Sequence, residues 1–144
     1  MTFSILDAMP IPRLTRDDPR SKWLAERALR LTCTSPDMTP LWNSMAQFGW
    51  VQSCASDAVP GEVVPERRRQ MRAEMDAVIA QEVFGLNRAD VALLLDSFVQ
   101  LAAIEVKAHG EFLTQRLVLA AMGGESAAVG NGPSSTTIRD KPLP

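Results

Sequence analysis

The sequence is poor in the residues that build most metal and acid–base sites. It has one histidine, His109, and two cysteines, Cys33 and Cys54, with no metal-ligand spacing, which argues against a zinc centre. A disulfide between the two is chemically allowed, but nothing marks the chain as secreted. The N-terminus lacks a basic region followed by a long apolar run, so no signal peptide is expected. The most apolar stretch, Val91 to Val106, is broken by Asp96, Gln100 and Glu105 and is too short to span a bilayer. Internal repeats are absent too. The net charge of −2 supplies no global basic field to attract nucleic acid, although it allows a local patch. The expectation is a cytoplasmic chain with reduced thiols, no membrane contact and no cofactor.

What is present is ordinary globular composition, 46% hydrophobic and 22% charged, over 144 residues, enough for one domain with a core. Pro10 and Pro12 force their predecessors extended, so residues 1–18 read as an N-terminal arm with a short strand over Phe3 to Leu6. Asp18-Pro19 suits a cap and first helical position, and Trp23, Leu24, Ala28 and Leu31 are spaced for one buried stripe. Ser35-Pro36 opens a second helix through Met38, Leu41, Trp42 and Met45 to about Phe48. Residues 49–64 read as a surface loop.

The second half organises the chain. From Pro65, the residues Met71, Met75, Val78, Ile79 and Val83 fall on one helical face. Gly85 is placed to end that helix in a left-handed turn. Asn87 and Asp90 then form a variant capping box for a helix burying Val91, Leu94, Leu95 and Phe98. After a looser stretch, Gly110 opens a third amphipathic run ending near Gly123. Residues 123–144, rich in Gly, Ser, Thr, Asn and Pro, have too little apolar surface to offset ordering entropy and are expected to be disordered. The fold class expected is mainly α: about five helices over residues 19–122, with the arm before and the tail behind.

Several strings share an order with a known family. Phe84-Gly85-Leu86-Asn87-Arg88-Ala89-Asp90-Val91, Leu94-Leu95-Asp96-Ser97-Phe98 and Gly110-Glu111-Phe112-x-Thr114-x-Arg116-Leu117 form the downstream series. Upstream stand Phe3 to Arg13, Leu29 to Thr34 and Pro65-Glu66-Arg67-Arg68. Together, over Phe3 to Met122, these resemble the C-terminal specificity region of adenine-specific DNA methyltransferases of type IIG-like restriction–modification and phage-defence systems. Phe84 and Phe112 replace a usual Tyr, and Gln115 a usual basic residue. The family's methyl-transfer signature, Asn-Pro-Pro-aromatic, and a glycine-rich cofactor loop are missing. In a complete methylase the first segment follows a larger recognition domain, which suggests a truncated or split reading frame. The resemblance implies a non-catalytic fragment supporting DNA recognition beside a methyltransferase body or subunit. A helical protein-interaction module, or a remnant packing on a missing methylase domain, is the alternative.

Candidate chemistry is sparse. Arg67, Arg68, Arg69 and Arg72, four arginines in six positions at a helix start, suit phosphate contact, because guanidinium binds phosphate bidentately. The bland reading is a solvated face, with Arg72 near Asp76 and Arg69 near no good acid. Arg116 either pairs with Glu111 or Glu105 or faces phosphate. These five arginines are the candidate nucleic-acid contacts. Arg13, Arg16, Arg20, Lys22, Arg27 and Arg30, against Asp17, Asp18 and Glu26, leave a local charge of +3 (six minus three) that can extend such a surface or simply coat a helix. Pro36-Asp37 with Glu105-Val106-Lys107 mimics a magnesium-nuclease pattern but lies on helices, where the two acids do not converge. His109 has no nucleophile beside it. Trp23, Trp42 and Trp50 can stack on bases or fill a core, and the shared faces of two of them favour the core. No catalytic, cofactor-binding or metal-binding residue is expected.

Overall fold

The computed structural model describes residues 12–123. The expected arm over 1–18 lies mostly outside that range, and the tail from 124 entirely so. Among the described residues six α-helices follow in order: α1 Pro19–Thr32, α2 Thr39–Ala46, α3 Pro65–Val78, α4 Arg88–Asp96, α5 Val99–His109 and α6 Leu113–Gly123. A single 3-10 turn, Pro36–Met38, leads into α2, and a π-helical turn, Ile79–Val83, extends α3. No strand occurs among the described residues.

The capping signals act as local chemistry dictates. The Asp18 side chain accepts from Arg20 N–H at 2.9 Å, with Pro19 at the first helical position. The Asn87 side chain accepts from Ala89 and Asp90, while Asp90 accepts from the Asn87 backbone, a complete capping box. Gly85 takes φ 69° behind the widened π turn, where Leu86 N–H closes on the Ala80 carbonyl at 2.9 Å. Gly110 takes φ 81° and terminates α5 instead of opening α6.

Arg20 hydrogen-bonds and pairs with Asp18, and this holds the Asp18 carboxyl below its ordinary value of 3.8. A depressed folded-state value means that the stabilisation is present above about pH 4 and lost as pH falls through the lower, folded value. Asp18→Asn keeps a capping oxygen but not the ionisation. It is expected to flatten the acid limb of stability in denaturant titrations run downward from about pH 5. An unaltered acid limb would contradict that assignment.

Two apolar clusters hold the fold. The first joins Leu29, Cys33 and Trp42, with Met38, Met45, Val51 and Cys54 against them, and both cysteines are free thiols. The second joins Ala73, Ala77, Val91, Leu95, Val118 and Met122 from α3, α4 and α6. Helix α3 packs on α6, and its other side meets α1. Polar ties join these helices: Arg20 to the Glu82 carbonyl, Arg27 to Glu74 and Arg68 to the Leu31 carbonyl.

Four expectations change. On α1 the buried residue is Leu29, while Ala28 is exposed. On α3 the deepest residues are Ala73 and Ala77, 4% and 2% exposed, and Met71, Met75, Val78, Ile79 and Val83 are only half-buried. Small side chains at i and i+4 let α6 approach closely, and the larger ones flank that contact. Leu94 stands 50% exposed because it lies off the Val91–Leu95 face of α4, and Phe98 48% exposed because α4 ends at Asp96 and Phe98 becomes the N-cap of α5. The 3.6-residue period does not run across that joint. Lastly, the looser stretch after Phe98 is the eleven-residue helix α5.

The loop over residues 49–64 is irregular yet closely tied. Trp42 Nε1 donates to the Gln52 carbonyl at 2.7 Å, and Asn43 bonds Cys54 in both directions. The buried Thr39 hydroxyl donates to the Ala58 carbonyl. Gly61 N–H reaches the Cys33 carbonyl, and a Cβ on Gly61 would lie 2.3 Å from that same oxygen.

Candidate nucleic-acid interface

The start of α3 and the start of α6 lie side by side, forming an open cleft lined by Glu66, Arg67, Arg69, Gln70, Arg116 and Leu117, with Leu113 at its edge. Three of the five candidate arginines therefore meet on one surface. Each has a carboxylate close by. Arg67 lies 3.7 Å from Glu62, and Arg69 lies 3.5 Å from Glu66, an acid the sequence reading had not assigned to it. Arg116 Nε donates to both Glu111 oxygens at 2.9 and 3.0 Å. The Arg69–Glu66 and Arg116–Glu111 pairs are exposed and worth about 0–1 kcal/mol each, so an incoming phosphate can displace those carboxylates at modest cost, whereas Glu62 is only 18% exposed.

The other two stand apart. Arg68 donates to the Glu62 carbonyl at 2.7 Å and the Leu31 carbonyl at 2.9 Å, tying the end of α1 to the start of α3. Arg72 is exposed and lies outside the cleft lining. Its charge partly offsets the upward shift that burial imposes on the Asp76 carboxyl.

The upstream basic stretch divides in the same way. Arg20 pairs with Asp18, Arg30 pairs with Glu26, and Arg27 pairs with Glu74 while its guanidinium lies 3.5 Å from the Trp23 ring centroid. Arg27 Nε is buried with no hydrogen bond among the described residues. Arg13, Arg16 and Lys22 remain exposed.

The nuclease-like pattern has a structural explanation. The Glu105 carboxylate accepts from Thr114 N–H at 2.7 Å and Thr114 Oγ1 at 2.6 Å, capping α6 from α5. Among the described residues no group of three or more His, Cys, Asp or Glu side chains could hold a metal ion. His109 is exposed at the end of α5.

Sequence reasoning missed two surfaces. Among the described residues, seven of thirteen exposed large apolar residues lie between Leu93 and Val106, so exposure is concentrated on α4 and α5. Helix α5 has no buried residue: Val99 and Val106 flank one side, Leu101 and Ile104 the other, and only Ala102 and Glu105 turn inward. The signal is the near-continuous apolar run from Val91 to Val106. No helix among the described residues is long and apolar enough to cross a membrane. The second surface joins Trp50, a base-stacking candidate in the sequence, to Phe48 and Arg16, which the sequence does not place beside it.

No family model, curated protein or solved structure matches the chain.

Proposed function

We propose that this chain is a non-catalytic helical piece of a methyltransferase specificity region, which docks on a methyltransferase body and supports its DNA recognition. The observation that carries the reading is α5. A helix with large apolar residues on both flanks normally packs against other elements, yet both flanks of α5 are exposed, with Val99 at 70% and Ile104 at 66%. A larger body packing on both flanks would remove that surface from water. The ordered resemblance supplies the class of body, an adenine-specific methylase. The chain holds no Asn-Pro-Pro-aromatic motif and no glycine-rich cofactor loop with which to transfer a methyl group itself. The test mixes the purified chain with an adenine-specific methyltransferase body that lacks its own C-terminal region. Docking with site-specific methylation by the pair, and none by the chain alone, is expected. Incorporation of tritiated methyl groups into DNA by the chain alone would sink the proposal.

The arginine cleft favours a phosphate contribution to that recognition. Arg67→Gln, Arg69→Gln and Arg116→Gln together are expected to reduce the logarithmic salt slope for duplex DNA by up to about 2.7, at about 0.9 per phosphate neutralised. Arg68→Gln is expected to lower the melting temperature and leave the slope alone, because its partners are backbone carbonyls of the same chain. Fluorescence anisotropy at several salt concentrations reads the slopes. Equal slopes for wild type and triple variant would return the cleft to a solvated helix face.

A further inference from the structure

We infer that the surface around Phe48 and Trp50 is a stacking site for single-stranded nucleic acid. Helix α2 ends at Ala46, and Gly49, at φ 74°, turns the backbone between the two aromatic residues. A side chain there would strain the left-handed backbone, although a Cβ would meet no atom. The turn sets the rings beside each other, 6.0 Å between centroids and tilted by 38°. The Arg16 guanidinium lies 5.1 Å from the Phe48 centroid. Leu14, Met45 and Ser21 complete a mainly apolar cleft of about 470 Å³, open among the described residues. Phe48 is 48% exposed, so its ring is not used up in the core.

The Arg16 guanidinium lies over a face of Phe48, where an unstacked base would displace it or stack beside it, and phosphates suit the charge around it. Between residues 13 and 22 stand Arg13, Arg16, Arg20 and Lys22 against Asp17 and Asp18, four minus two, a local +2 in a chain of net −2. Duplex DNA hides its base faces by stacking, so these rings favour a single strand over a duplex. Trp42 is buried in the first cluster, and Arg27 lies closer over Trp23, at 3.5 Å, than Arg16 lies over Phe48. The inference does not depend on docking to a methyltransferase and would survive its failure.

Titration of the full chain with a fluorescein-labelled oligodeoxythymidylate tests it. Saturable binding at low salt, with quenching of tryptophan emission, is expected, and a duplex of the same length should bind more weakly. Phe48→Leu and Trp50→Leu should each weaken single-strand binding about five-fold or more, since stacking contributes about 1 kcal/mol or more per base. Arg16→Gln, at an exposed position, should weaken it without altering the melt. Lack of saturable binding, equal binding by the ring variants, or no preference for single strand over duplex would overturn the inference. Inaccessibility of Trp50 to iodide in the free protein, meaning that the chain's own N-terminal residues or another segment covers the cleft, would also overturn it. So would binding only of an acidic peptide.

Discussion

Trp42→Ala is expected to cost about 3–5 kcal/mol of folding stability, the range for removing a buried large aromatic side chain. Trp42 is 5% exposed and packs with Leu29 and Cys33, so truncation opens a cavity between α1, α2 and the loop. The indole also holds that loop through Nε1 and the Gln52 carbonyl. Gln52 is exposed, so its freed carbonyl can turn to water, and the lost hydrogen bond adds only about 1 kcal/mol. Most of the cost is packing. Trp42→Phe narrows the comparison, because it retains most of the aromatic volume but not the donor. For a small domain stable by about 5–15 kcal/mol, the alanine variant should shift the denaturant midpoint far more than the phenylalanine variant. Equal, small shifts would show that the first cluster is not a core.

Leu95→Ala and Leu94→Ala, neighbours in sequence, are expected to differ sharply. Leu95 is 9% exposed and shares its face of α4 with Val91, against Val118 and Met122 of α6. Its truncation should cost about 2–5 kcal/mol. Leu94, half exposed one residue earlier, points away from that contact, and its truncation should cost less than about 1 kcal/mol. Equilibrium unfolding in urea separates the two. Similar losses for both would mean that α4 is rotated from the placement described.

The local signals were legible in sequence. Asp18 with Pro19, Asn87 with Asp90, and Gly85 fix helix boundaries through chemistry confined to a few residues. What covers a helix face was less legible. Met71 and Met75 look like the core of α3 because they are large, but close approach by α6 selects Ala73 and Ala77 instead. The stripe from Val91 to Phe98 continues on paper across Ser97, where the chain in fact leaves one helix and caps the next. Helix α5 is hard to read because its apolar residues stand on two flanks, with Gln100 and Lys107 between them, which leaves no single apolar stripe to detect. At the candidate interface, sequence located the arginines but not their neighbours. Arg68 meets Leu31 from 37 positions away, and Arg116 joins Arg67 and Arg69 only because α6 begins beside the start of α3.

The central claim is that the α4–α5 surface seats this chain on a methyltransferase body. Isothermal titration of the chain into an adenine-specific methyltransferase that lacks its own C-terminal region tests it most directly. Saturable one-to-one binding is expected, with the negative heat-capacity change of apolar burial. The double variant Val99→Asp and Ile104→Asp, at exposed positions, should bind at least ten-fold more weakly, a loss of about 1.4 kcal/mol or more, and melt as the wild type does. Absence of binding, or unchanged affinity in a double variant that still folds, would contradict the claim.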